Sequence, residues 1–113
     1  MTEAAERGRM GEEACVHALA MLGFRVLERN RRAGRLEIDI LAERRGKPVA
    51  VEARAREEGA LVDGAASITP EKRTRVEAAA RAVTGRSDPA VVYASVVLRG
   101  GIPAEIEFLD EAF

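Results

Sequence analysis

Two short apolar runs between Arg35 and Arg56 carry charges at every second position, and this constrains the fold more than any other feature of the chain. Leu36, Ile38 and Ile40 alternate with Glu37 and Asp39. Val49, Val51, Ala53 and Ala55 alternate with Glu52, Arg54 and Arg56. A period of two is the signature of a strand with one face on a core. Between the runs, Gly46 can take a positive φ and Pro48 suits a strand start, so the segment predicts a hairpin turning about Arg45-Gly46. In that register the numbers of paired residues sum to 91, which sets Asp39 opposite Glu52 and Glu37 opposite Arg54. Like charges directly opposed across a sheet are destabilising. A solvated outer face would screen them and leave Glu37–Arg54 as an ordinary ion pair; a divalent cation held between Asp39 and Glu52 would instead require them.

The remaining pattern predicts a helix over 3–22 ending at Gly23, a short strand at 24–28, and a polar connection at 29–32. Glu57 to Ile68, with Gly59 and Gly64 and no clear period, reads as a loop. Thr69-Pro70-Glu71 has the N-cap, N1 proline and first-turn acid of a helix start, and Gly85 is placed to end that helix. Val76, Ala79, Ala80 and Val83 form its apolar stripe, with Lys72 and Arg75 on another face. The uncharged, β-branched run 90–98 predicts a strand buried on both faces, and 102–109 an edge strand containing Pro103. The order α-β-β-β-α-β-β defines an α/β chain with a mixed sheet.

At 113 residues the chain has room for one domain, 1–113. It has no apolar run of transmembrane length and no signal-peptide pattern, so a cytoplasmic protein without membrane contact is expected. The lone Cys15 excludes an internal disulfide, and it has no Cys or His neighbours at zinc-ligand spacing. Net charge is −1, but residues 25–56 hold ten Lys and Arg against five Asp and Glu. A positive strip around a few acids suits a site that handles phosphate. Arg29, Arg31 and Arg32 in that strip, with Lys72 and Arg75 on the basic face of the second helix, are the candidate nucleic-acid contacts.

Gly11-Glu12, Arg29-Asn-Arg-Arg32, LEIDILA, VEARAR, ITPEK and the final Asp110-Glu-Ala-Phe113 together resemble the YraN-like family of small bacterial proteins. That family is grouped with the PD-(D/E)XK nuclease-like fold of restriction endonucleases and Holliday-junction resolvases. The resemblance implies a restriction-endonuclease-like core, with Asp39 and Glu52 as the motif acids and Glu12 as the acid of the first helix. It further implies Mg²⁺ or Mn²⁺ held by Asp39, Glu52, the Ala53 carbonyl and Glu12. Arg54 replaces the motif lysine, with Glu37 beside it in the catalytic set, and Leu36 replaces the usual glycine. The expected activity is metal-dependent hydrolysis of phosphodiester bonds in nucleic acid, DNA ahead of RNA, with branched or structured DNA the favoured substrate and a homodimer left open. Because Arg54 cannot deprotonate water, two other classes stand beside the enzyme: a nucleic-acid-binding module that has lost hydrolysis, and a protein-interaction subunit.

Overall fold

The computed structural model describes residues 2–60 and 68–109. Helix α1 (Glu3–Met21) is followed by strands β1 (Arg25–Ala33), β2 (Leu36–Arg44) and β3 (Lys47–Glu57), helix α2 (Pro70–Thr84), and strands β4 (Ala90–Arg99) and β5 (Ile102–Phe108). This is the expected α-β-β-β-α-β-β order, and the strands form one mixed sheet in the order β1-β2-β3-β4-β5. Only β3 and β4 run parallel, joined by the crossover that contains α2. Most of the loop expected after β3 and the segment 110–113 lie outside the described residues.

The β2–β3 hairpin forms about Arg45 (φ 55°) and Gly46 (φ 76°). Two successive positive φ values define the primed turn whose twist matches a two-residue hairpin. The pairs Arg44↔Lys47 through Ile40↔Val51 keep the expected register. The strand β1 differs from expectation: Arg29 to Arg32 belong to a nine-residue strand, and the turn into β2 comes later, at Gly34-Arg35. An edge strand facing solvent tolerates charge on nearly every residue, so its sequence looks like a connection.

Helix α1 covers one sheet face, burying Cys15 and Leu19 with Phe24, Ile40, Ala42, Val49, Val51, Val92 and Ala94. Helix α2 covers the other, where Val76, Ala79 and Ala80 meet Ile38, Ala50, Val91 and Tyr93. The broad apolar surface expected on α1 narrows to Gly11, Cys15 and Leu19, while Met21 is 89% exposed. A Cβ on residue 11 would lie 2.7 Å from the Ala55 Cβ, so only glycine lets α1 approach β3 this closely. Both helices are capped as their sequences require: Thr2 accepts from the Ala5 N–H, Thr69 accepts from the Lys72 N–H, and Gly85 closes α2 at φ 71°.

One irregularity decides the rest of the structure. Strict alternation would put Leu36, Ile38 and Ile40 on one face, but Ile38 packs with α2 and Ile40 with α1. The phase of β2 therefore reverses across Asp39. The neighbouring β1 is also irregular there, because Asn30 adopts φ 53° between the paired residues Arg29 and Arg31.

Candidate functional site

Past Ile40↔Val51 the β2–β3 ladder stops. Where the next backbone pair would form, the Ala53 N–H donates to Asp39 Oδ2 at 2.9 Å, and the Asp39 and Glu52 carboxyl groups lie near enough to shift one another. Burial pushes Glu52 up to about 8, the adjacent Asp39 charge adds to this, and Arg54 opposes it. Asp39 is also raised by burial, against the downward pull of the Ala53 N–H and Arg54. The two acids lie within electrostatic reach of each other. This proximity arises at a break in the sheet rather than from a regular cross-strand pair.

Arg54 does not pair with Glu37. Its Nη2 lies 3.1 Å from Glu52 Oε1, two residues back on the same strand, while Glu37 Oε2 is 3.8 Å from Arg32 Nη2. The expected cross-strand ion pair fails because the ladder that would have aligned Glu37 with Arg54 has already ended. The Arg54 Nε is buried without a hydrogen bond.

Glu12 lies on α1, on the opposite sheet face from α2, within electrostatic reach of Asp39. Burial and then Asp39 raise its carboxyl, and its Oε1 is buried with no hydrogen bond, 3.9 Å from Arg29 Nη2. Among the described residues no three Asp, Glu, His or Cys side chains gather as a metal cluster. Asp39 and Glu52 come together, and Glu12 stands near without joining them. In an extended strand the N–H and C=O of a residue share one edge, so the Ala53 carbonyl lies on the edge turned to Asp39. Burial, with Asp39 and Glu12 adding to it, pushes the Cys15 thiol up to about 12, which makes it an inert core group.

On the α2 face a cleft of about 210 Å³ opens beside Glu52 and Arg54. Arg35, Leu36 and Glu37 form one wall, and Lys72, Arg75 and Val76 the other. Of the expected nucleic-acid contacts, Lys72 and Arg75 therefore stand next to the acid pair. Arg29, Arg31 and Arg32 do not line this cleft: they meet Glu13 at 2.6 Å, Glu28 at 3.2 Å and Glu37 at 3.8 Å respectively. Arg35 was not among the residues expected from sequence. Its one signal was the preceding Gly34, whose φ of 64° makes the turn that presents it.

The described residues form a mixed five-stranded sheet with a helix on each face, and two acids lie near each other where one strand pair ends. The chain matches uncharacterised protein family UPF0102 over residues 11–96, and it belongs to that family. It is 36% identical over 94 residues to a UPF0102 protein of Thermus thermophilus, covering 83% of this chain and 84% of that one. It is 45% identical over 73 residues to one of Oleidesulfovibrio alaskensis and 48% over 77 residues to one of Methylocella silvestris, covering 65% and 66% of this chain. The aligned segments span only 36% and 59% of the length of those two relatives. Among the described residues no helix is long and apolar enough to cross a membrane.

Proposed function

We propose that the chain is a divalent-metal-dependent phosphodiesterase acting on nucleic acid, in the manner of PD-(D/E)XK nucleases. The observation that carries this reading is the Asp39–Glu52 pair, a half-buried and a buried carboxyl brought near each other where the β2–β3 ladder ends, each raised by burial. Two carboxyls so placed repel when both are ionised, a cost that either a proton or a cation between them removes. The donor set is all oxygen, Asp39, Glu52 and the Ala53 carbonyl, and suits Mg²⁺ or Mn²⁺, which complete their shells with water. Glu12 is within reach through such a water. When bound, the ion supplies Lewis acidity and neutralises charge building on the phosphate.

The chain's own residues divide the other tasks. The Ala53 N–H fixes the Asp39 carboxylate, and Glu52, largely buried, faces the cleft. Arg54 remains protonated, so it can stabilise developing negative charge but cannot act as a base. Lys72, across the cleft, is the one lysine beside the acids and the candidate to orient the attacking water.

Cleavage of labelled duplex, flapped and branched DNA with Mn²⁺ tests the reading. The parent chain is expected to cut, and Asp39→Ala and Glu52→Gln to lose at least a hundredfold in rate. Cutting that survives both substitutions would sink the proposal. The Arg54–Glu52 ion pair favours a second reading, a binding module that keeps the cleft and has lost hydrolysis. Binding without cutting by the parent would select it.

A further inference from the structure

From Glu28↔Leu41 to Ala33↔Leu36, β1 and β2 keep one register with a single gap, which sets Asn30 opposite Asp39. Residues directly opposed across a sheet share a face. Arg29 therefore stands with Ile40 on the α1 side, where it meets Glu12 and Glu13 of that helix, and Arg31 stands with Ile38 on the α2 side. On a regular strand two residues so spaced would share one side. Both strands thus reverse at the same place, β2 across Asp39 and β1 across Asn30.

Only one of the two opposed residues bears left-handed strain. Outside glycine, the positive φ values among the described residues belong to Asn30 (φ 53°) and to Arg45 of the hairpin turn, so Asp39 passes through the reversal without one. A left-handed residue inside a strand is costly for any side chain with a Cβ, least so for asparagine, and such strain persists where the surroundings hold it. With residue 30 in this conformation β1 follows β2 through the reversal. Asp39 then stays out of the ladders on both sides, and its carboxylate meets the Ala53 N–H at 2.9 Å. The exposed Asn30 side chain makes no hydrogen bond among the described residues, so the backbone is what this residue contributes.

We infer that Asn30 is the positioning residue of the acid pair: its left-handed backbone keeps Asp39 out of the β1–β2 ladder and so aims the Asp39 carboxylate at the Ala53 N–H. Its use in holding a metal rests on the reading above, whereas its hold on Asp39 does not.

Amide hydrogen exchange followed by NMR in EDTA reads this geometry. The Ala53 amide of the parent is expected to be protected, and Asp39→Ala to lose that protection. Asn30→Gly, which adopts the left-handed backbone without a Cβ, should match the parent. Asn30→Ala should speed Ala53 exchange about tenfold, and Asn30→Val, whose branched side chain favours the paired strand, by more. Val51, inside the intact ladder, should keep the parent's rate in each. If Asn30→Val does not fold, Asn30→Ala decides alone. Ala53 protection unchanged in Asn30→Ala, a loss that Val51 shares equally, or a loss in Asn30→Gly as large as in Asn30→Ala would overturn the inference. Calorimetric titration with Mn²⁺ separates it from the phosphodiesterase. Affinity should fall about tenfold in Asn30→Ala and be kept in Asn30→Gly. A parent that binds no Mn²⁺ yet shows the amide pattern leaves the role of Asn30 standing and removes the metal site; Mn²⁺ bound equally by the parent and Asn30→Ala, with Ala53 protection unchanged, does the reverse.

Discussion

Metal-free protein should lose thermal stability as pH rises from about 5 to about 9, and Glu52→Gln should remove most of that loss. The folded state holds a proton on Glu52 up to about 8, whereas an unfolded glutamate releases it near 4.5. Below the lower value both states are protonated and the contribution is fully present. Between the two the folded state binds more protons than the unfolded, so stability falls with pH. Each unit of difference is worth about 1.4 kcal/mol, which makes the total on the order of several kcal/mol, less what relaxation of the site recovers. For a chain of this size that is a drop of roughly 10 °C or more. An amide at residue 52 can donate to Asp39 without a proton to lose, so the variant should be the more stable protein at pH 9. Adding Mn²⁺ at pH 9 should restore the parent and leave Glu52→Gln nearly unchanged, because a ligand that binds only the folded state adds its binding energy to stability. Calorimetric melting at pH 5, 7 and 9, with and without Mn²⁺, measures all of this. A parent whose melting temperature is flat across that range would show that Glu52 does not hold its proton to about 8 in the folded state.

Arg54→Lys should raise Mn²⁺ affinity about tenfold and increase metal-dependent cutting. In the folded chain the Arg54 guanidinium already lies against Glu52 at 3.1 Å, on the oxygen that a cation would need. An ion that takes this oxygen must first displace the guanidinium, and a tenfold loss of ion affinity corresponds to about 1.4 kcal/mol. Lysine keeps the charge but has a compact head on a flexible stem, so it can leave the carboxylate when the ion arrives. Titration calorimetry of the parent and the variant decides the point. Equal or weaker Mn²⁺ binding after Arg54→Lys would show that the guanidinium does not compete with the ion.

Much of this site was legible because its two acids sit on a hairpin whose turn chemistry is local. Gly46 and the alternation on either side fix the register as far as Ile40↔Val51, one position short of Asp39 and Glu52. The Thr69-Pro70 signal likewise placed Lys72 and Arg75 on one side of α2. What lay hidden was the reversal of phase at Asp39. The residues 36, 38, 40, 41 and 42 are all apolar, so the sequence is equally consistent with an unbroken strand, and only the packing of two helices on opposite faces separates Ile38 from Ile40. The Glu37–Arg54 pairing failed for that reason. The edge strand β1 was hidden for a different one, since solvent on its surface lets Arg29, Arg31 and Arg32 occupy strand positions without any apolar alternation.

The same reversal makes β2 two half-strands that answer to different layers, and lesions in it should be separable by what they disturb. Ile38 shares its packing with Val76 of α2, the helix that carries Lys72, whereas Ile40 shares its packing with Leu19 of α1, the helix that carries Glu12. Trimming Ile38 to Val should therefore couple energetically to Val76→Ala and be additive with Leu19→Ala; trimming Ile40 should show the opposite pattern. Two residues one position either side of Asp39 thus give independent handles on the cleft-lining and the acid-supplying halves of one small protein, and coupling of Ile38 to Leu19 as strong as to Val76 would show that the halves are one cooperative unit.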